Sequence, residues 1–253
     1  GDPRHAVKVF EKTVLLFVSH KEGKDLNLLN DTEAVQIFKI VDDDKYLVHE
    51  KKIQLELPAK KYLSMWDFAT DYFLGCRKRD TFAEVWSIKD SFSTEETTKA
   101  PLIWSSDVSN RNLFKCTCVL IKHPDVFIGL SNGRCDIYDI QFNVKRRSLL
   151  HQSPLVPDTD YLFVRKVLTT NHHILSLSSD GKLYVWSKEE VLGLGRPEVS
   201  LSDPLWTVKS TTRGNRILNM HVDSTKIVTL EKTFTSNLPS LLIYDFWHCK
   251  KKT

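Results

Sequence analysis

The 253-residue sequence has few of the features that mark secreted or membrane-spanning chains. Its cysteines are odd in number and widely separated: Cys76, Cys116, Cys118, Cys135 and Cys249. Such thiols predict a reduced compartment, cytoplasmic or nuclear, and no disulfide framework. No apolar run approaches the ~20 residues that span a bilayer, and no signal peptide opens the sequence. We therefore expect a chain that is neither secreted nor membrane-spanning.

Motifs of catalysis and metal binding are also scarce. The sequence has no glycine-rich phosphate loop followed by Lys and Ser or Thr, and no HExxH, so we expect no enzyme, no metal and no cofactor. Cys116 and Cys118 lie on a predicted strand without a second Cys or His pair at zinc spacing, which favours buried structural thiols. His172, His173 and the carboxylates at 42–44 are interpreted as solvated loop residues.

Glycine and a strong excess of one charge are scarce as well. Only nine glycines are present, which predicts that several turns are longer loops. The chain has 36 basic and 32 acidic residues and a net charge of +4, so acidic partners are only weakly favoured and nucleic acid is a disfavoured partner. With 41% hydrophobic and 27% charged residues, the chain is nevertheless predicted to fold.

The sequence does contain a recurring pair of strands. The stretch SSDGKLYVWSK at 178–188 predicts a hairpin, because Asp180-Gly181 tolerates the positive φ angles of a tight turn. Segments of the same kind, with other turns, occur at 13–40, 72–88, 125–140 and 226–246. No long segment has helical periodicity, so we predict an all-β chain.

The second strand of each hairpin ends in an aromatic residue followed by a polar one. These aromatic residues are Phe38, Trp86, Tyr138, Trp186 and Tyr244, spaced 48, 52, 48 and 58 residues apart. That spacing is close to the length of a four-stranded propeller blade. The sequence therefore predicts five repeats in a single β-propeller domain over 1–253. Their approximate boundaries are 1–57, 58–108, 109–157, 158–210 and 211–253.

Further strands flank these hairpins. A first strand is predicted before each one, at 6–10, 63–68, 117–122, 164–170 and 217–222. A fourth strand is predicted at 45–57, 100–106, 146–152 and 204–210, and none follows the fifth hairpin. Because an unclosed sheet leaves an exposed edge, we expect that residues outside this sequence, further repeats or a partner's strand complete the last repeat.

The pattern resembles the WD-repeat β-propeller family over almost the whole sequence. The hairpin at 178–188, with its Asp-Gly turn and Trp186-Ser187, carries the resemblance best, and 131–140 carries it in part. The sequence departs from the family in having no Gly-His, and its one Trp-Asp, Trp66-Asp67, falls in a predicted first strand. The resemblance implies four-stranded antiparallel blades and a protein-binding role.

Basic residues concentrate in loops that a propeller would bring to one rim. Arginine suits bidentate contacts to carboxylates and phosphates, so these loops predict a protein partner with acidic or phosphorylated segments. The alternative is that they are solvated surface charges. The predicted partner-binding residues are Lys60, Lys61, Arg77, Lys78, Arg79, Arg111, Arg134, Arg213 and Arg216.

These expectations favour a non-catalytic scaffold for protein–protein interaction within a multiprotein complex of the cytoplasm or nucleus. A first alternative is the substrate receptor of an F-box/WD-repeat ubiquitin ligase, which would capture an acidic or phosphorylated peptide. A second alternative is a nucleic-acid-binding propeller.

Overall fold

Strands make up nearly all the regular structure, as the sequence predicts. The computed structural model describes residues 4–10, 13–19, 33–41, 46–55, 63–69, 71–77, 83–88, 97–106, 114–151, 162–193, 204–208, 216–223, 225–232 and 238–245. Within these ranges the strands form five sheets. The chain divides into two compact units, Gly1–Arg111 with Ile121–His123, and Asn112–Leu120 with Pro124–Thr253.

The first two sheets belong to the first unit. Their strands are β1 (Arg4–Phe10), β2 (Thr13–Ser19), β3 (Glu33–Val41), β4 (Tyr46–Leu55), β5 (Leu63–Ala69), β6 (Tyr72–Arg77), β7 (Ala83–Ser87), β8 (Thr97–Ala100) and β9 (Leu102–Ser105). The first sheet has the order β1-β2-β3-β4-β8 and the second the order β5-β6-β7-β9. Neighbouring strands are antiparallel, except that β4 and β8 are parallel.

The other three sheets follow in chain order. Their strands are β10 (Cys116–Lys122), β11 (Asp125–Leu130), β12 (Arg134–Asp139), β13 (Val144–Leu150), β14 (Val164–Thr169), β15 (His173–Ser178), β16 (Leu183–Ser187), β17 (Trp206–Val208), β18 (Arg216–Val222), β19 (Lys226–Lys232) and β20 (Pro239–Asp245). β10–β13 form the third sheet, β14–β17 the fourth and β18–β20 the fifth. The fold class predicted from the sequence is confirmed.

All five sheets share one register between their second and third strands. In each, the aromatic residue near the end of the third strand pairs with the second residue of the second strand. The pairs are Phe38 with Val14, Trp86 with Phe73, Tyr138 with Val126, Trp186 with Ile174, and Tyr244 with Ile227. Because register fixes which face each side chain occupies, the sequence repeat is also a structural repeat.

The second repeat differs in one respect from the sequence prediction. The segment predicted as one fourth strand at 100–106 is part of two strands in different sheets, with Pro101 between them. Proline has no N–H to donate to a sheet, so the ladder is interrupted there. β8 extends the first sheet and β9 completes the second.

A short helix, α1 (Lys188–Leu192), follows β16 directly. The Ser187 side chain caps its first turn by accepting a hydrogen bond from the N–H of Glu190. Ser187 and Glu190 have the spacing of a capping box, so the sequence carried the signal for this helix. Within the described ranges, no helix has the length and apolar character to cross a membrane.

The cores lie between neighbouring sheets of the same unit. In the first unit, buried side chains of the first sheet, including Ile53, cluster with those of the second, including Phe73. Further along the chain, Phe127 of the third sheet clusters with Trp186 of the fourth. The opposite face of the fourth sheet clusters with Ile217 and Ile227 of the fifth. The fourth sheet is therefore covered on both faces.

The turns at Gly133 and Gly181 explain why two of the few glycines stand where they do. Both residues have positive φ, +77° and +81°. A Cβ on Gly181 would also lie 2.9 Å from the Cβ of Arg216, at the start of the next sheet. Conformation and close packing therefore both select glycine at Gly181.

Candidate protein interface

Three of the nine predicted partner-binding residues lie within the described ranges. Arg134 begins β12 and Arg216 begins β18. Arg77 ends β6, and only its backbone is described. The other six lie outside the described residues: Lys60, Lys61, Lys78, Arg79, Arg111 and Arg213. Their gathering on one rim therefore stays a prediction.

The guanidinium of Arg134 is held by a carboxylate of its own strand. Its Nε lies 2.9 Å from one oxygen of Asp136, and its Nη2 donates to the other at 3.1 Å. Lys145 Nζ lies 2.9 Å from the same carboxylate, and Ser148 Oγ donates to it at 2.7 Å. Asp136 is 1% exposed, and a buried carboxylate needs such partners. Arg134 therefore has a structural contact in addition to its predicted role.

Arg216 is exposed and packs against the turn at Asp180 and Gly181. Asp180 forms an ion pair of 2.6 Å with Lys182 in that turn. Burial opposes the ionisation of Asp180, but hydrogen bonds involving Lys182 and Ser178 outweigh it and lower its pKa. An ionised carboxylate in this turn partly offsets the basic charge of the region.

A buried polar cluster joins the third and fourth sheets. His151 follows β13, and its Nε2 lies 2.6 Å from Ser176 Oγ of β15. Trp186 Nε1 donates to the same oxygen at 3.0 Å, and the His151 ring stacks on Tyr184 with centroids 4.5 Å apart. Burial lowers the pKa of His151 to about 4, so its ring is neutral at pH 7. Sequence reasoning missed this histidine, although it lies within the fourth strand predicted at 146–152.

A second polar cluster connects the third sheet to α1. Arg146 on β13 binds the carboxylates of Asp125 and Asp139, and its Nη1 donates to the carbonyl oxygen of Leu192 at 3.0 Å. Asp139 is fully buried and also accepts hydrogen bonds from the N–H groups of Gln141 and Phe142. The paired carboxylates are therefore part of the scaffold, where they hold strand ends together.

The thiols of the third sheet are buried and unreactive in character. Cys116 Sγ donates to the Cys118 carbonyl oxygen at 3.7 Å, and burial raises the pKa of Cys118 to about 12. Burial also raises the pKa of Cys135. A protonated thiol is a poor metal ligand, and no cluster of potential metal ligands occurs among the described residues.

The stretch GLSNG at 129–133 has the Gly-x-Ser-x-Gly spacing of a nucleophile elbow. An elbow connects a strand to a helix, whereas this stretch connects β11 to β12 in a hairpin. Ser131 Oγ accepts a hydrogen bond from the N–H of Lys115 at 2.9 Å. The serine therefore belongs to a turn, and the spacing does not indicate a hydrolase.

The fifth sheet has an apolar face that remains exposed. On β20, Leu241 is 65% and Ile243 62% exposed. They pair with Leu230 and Val228 of β19, both half-buried, so the four side chains form one stripe. We call this set the β20 stripe. Exposed apolar clusters of this kind mark sites of protein contact.

A free strand edge adjoins the β20 stripe. In each of the other four sheets, the third strand pairs with strands on both sides. In the fifth sheet the third strand is β20, and within the described ranges it pairs with β19 alone. Such an edge presents unpaired N–H and C=O groups. The described residues contain no fourth strand for this sheet, and what completes it stays a prediction.

Another apolar patch lies on the hairpin of β3 and β4 in the first unit, where Val41, Tyr46, Leu47 and Val48 are all exposed. These strands extend two pairs beyond the end of β2, which stops at the level of Lys39. Tyr46 and Leu47 on the extension are 61% and 60% exposed. Unlike Leu241 and Ile243, neither Tyr46 nor Leu47 stands three residues or one residue before a repeated aromatic residue.

Comparison with known proteins reveals similarity in fold. The WD40 domain of Toxoplasma gondii coronin aligns with 94% of this chain and 55% of its own, with a TM-score of 0.58 and 10% identity. The computationally designed Ika8 protein aligns with 95% of this chain and 70% of its own, with a TM-score of 0.56 and 11% identity. At such identities the likeness concerns the fold: the chain is an all-β protein of propeller-like sheets.

Sequence comparison is less informative. No family model matches the chain. The curated protein RCC1 of Candida albicans is 23% identical over 118 residues, which are 46% of this chain. The match spans a quarter of the length of that relative. Membership of the WD-repeat family therefore stays a prediction.

Proposed function

We propose that the protein is a non-catalytic interaction scaffold of the WD-repeat type, and that the fifth sheet is its main contact surface. The observation that carries the proposal is the β20 stripe, where Leu241 and Ile243 remain exposed beside a free strand edge. Apolar side chains at fixed geometry on a rigid sheet suit protein binding.

The buried polar groups support a structural role for the scaffold. The His151 cluster holds a loop end against two strands, and Arg146 ties β13 to the end of α1. These contacts fix the sheets without presenting reactive groups to solvent. A cytoplasmic or nuclear location is part of the proposal, because Cys76, Cys116, Cys118 and Cys135 are buried and form no disulfide bonds.

The proposal is tested by co-purification from cells with quantitative mass spectrometry. The wild-type chain is compared with the double substitution Leu241→Lys and Ile243→Lys. The control is Tyr46→Lys with Leu47→Lys, which adds the same charge at positions of matched exposure in the first unit. We expect a defined set of proteins to be lost with the first variant and kept with the second. Identical sets for all three proteins would contradict the proposal.

A further inference from the structure

The four complete sheets show what a fourth strand places against the third. Three residues before the repeated aromatic residue, Val35 pairs with Ile53, Cys135 with Leu149, and Leu183 with Val208. One residue before it, Val85 pairs with Trp104 and Val185 with Trp206. Ile37 and Ile137, which also stand one residue before the aromatic, pair instead with Lys51 and Arg147, whereas the fourth-strand partner in the five pairs above is a large or branched apolar residue. The third-strand residues of these five pairs are all fully buried.

The corresponding positions of the fifth sheet are Leu241 and Ile243. They stand three and one residues before Tyr244, on the same register as the pairs in the complete sheets. Their side chains are apolar like those of the buried equivalents, yet both are more than half exposed. The sequence of β20 is thus suited to a neighbour that the described residues do not supply.

Charge indicates what kind of neighbour fits. Side chains alternate between the two faces of a strand, so Lys226 and Lys232 share the face of Val228 and Leu230 on β19. Both lysines are exposed and stand at the two ends of the β20 stripe. A second copy of this chain would add two more lysines to the same face. Because Asp245 of β20 stands opposite Lys226, the positive charge is concentrated at the Lys232 end, and a segment with a carboxylate there complements the surface better than a second copy does.

We propose that β20 accepts an extended segment of a partner protein as a fourth strand. The segment has a large apolar side chain opposite Leu241 or Ile243 and a carboxylate at the end of the strand near Lys232. The inference rests on the proposed scaffold function and specifies its mode of binding. Main-chain hydrogen bonds supply affinity in strand addition, and alternate side chains supply specificity. The fourth strands of the other sheets are three to ten residues long, which sets the length of the segment.

The test uses a fluorescein-labelled peptide, Glu-Thr-Leu-Thr-Trp-Thr-Glu, titrated with the full chain in fluorescence anisotropy. We expect saturable binding at concentrations below about 1 mM. Leu241→Lys with Ile243→Lys is expected to weaken binding at least about tenfold, because both apolar cross-strand pairs are lost. Tyr46→Lys with Leu47→Lys controls for the added charge and is expected to leave the affinity within about twofold.

Two further peptides separate strand addition from other contacts. One carries N-methyl groups on alternate residues and is made in two versions, each of which blocks one of the two sets of main-chain N–H donors. Only one set faces β20, so at least one version is expected to lose binding. The other has Lys at both ends and is expected to bind more weakly. Equal binding by all peptides, equal binding by the β20 variant, or no binding of the first peptide would overturn the proposal.

The oligomeric state distinguishes a partner strand from a second copy. We expect the wild-type chain to be monomeric in sedimentation velocity. A dimer that Leu241→Lys with Ile243→Lys dissociates would show that another copy occupies β20, and would overturn the proposal. If the peptide fails while the co-purifying proteins still depend on Leu241 and Ile243, strand addition is wrong and the scaffold function stands.

Discussion

The fourth and fifth sheets have the same register between their second and third strands, but they differ in how far neighbouring sheets cover them. In the fourth sheet, all residues of β15 except the first are buried. In the fifth, β19 alternates between buried and partly exposed residues, and no described side chain of β20 is buried. Leu183 and Leu241 occupy equivalent positions and are 0% and 65% exposed. The repeat in the sequence thus sets pairing within a sheet, whereas burial depends on what lies beside it.

The largest expected difference concerns the repeated aromatic residue. Trp186→Ala removes a fully buried side chain and its hydrogen bond to Ser176, so we expect the free energy of unfolding to fall by about 3–5 kcal/mol. Tyr244→Ala, at the equivalent half-buried position, should cost less. Urea denaturation followed by circular dichroism measures both. Equal losses would show that the fifth sheet is as well covered as the fourth.

The matched leucines test the same comparison with one type of substitution. Leu183→Ala leaves a cavity between the fourth and fifth sheets and should cost about 2–5 kcal/mol. Leu241→Ala removes a side chain that is mostly in solvent already, and should cost less than about 1 kcal/mol. The same urea titrations give both values. A loss at Leu241 as large as that at Leu183 would refute an exposed β20.

Acid should destabilise the boundary between the third and fourth sheets through His151. Its pKa is about 4 in the folded protein and 6.5 in the unfolded chain. The unfolded state therefore binds the proton first as the pH falls below 6.5, and stability decreases until about pH 4. The lost free energy of unfolding is about 3 kcal/mol. His151→Asn should remove this part of the pH dependence, and melting temperatures between pH 7 and pH 4 would show it. Parallel curves for both proteins would contradict the assignment.

The two hairpin turns provide the smallest expected difference. Both Gly133→Ala and Gly181→Ala impose positive φ on alanine, which costs about 1 kcal/mol. A Cβ at Gly133 would meet nothing closer than 3.4 Å, whereas one at Gly181 would press on Arg216 at 2.9 Å. Gly181→Ala should therefore cost more. Thermal melts show which variant loses more stability. A larger loss for Gly133→Ala would mean that Arg216, at the start of the fifth sheet, moves to accommodate the added Cβ.

Much of the fold could be predicted from the sequence because its signals are local. Turn residues and apolar runs identified the five hairpins, and the aromatic residues identified their register. The structure adds two elements. β8 is a short strand separated from β9 by Pro101, and α1 begins at the Ser187 cap, whose spacing to Glu190 was a usable signal.

The candidate site was harder to predict, since exposure depends on neighbours that are distant in sequence. Leu241 reads like Leu183 in the sequence, but Leu183 packs against the fifth sheet, whereas Leu241 is 65% exposed. The basic residues were predicted from loop position alone. The side chain of Asp136, two residues along the same strand, orients Arg134. Loop position gave no sign of this contact. The alternatives of phosphopeptide and nucleic-acid binding stay predictions.

Hydrogen–deuterium exchange of β20 tests the central claim most directly. Among the described residues only β19 lies beside β20. About half of the amides in 239–245 therefore lack a strand partner, and we predict rapid exchange of that half in the free protein. The amides of 183–187 in β16, which has strands on both sides, should exchange slowly. Equal protection of the two segments in the free protein would show that another strand already covers β20, and would contradict the account.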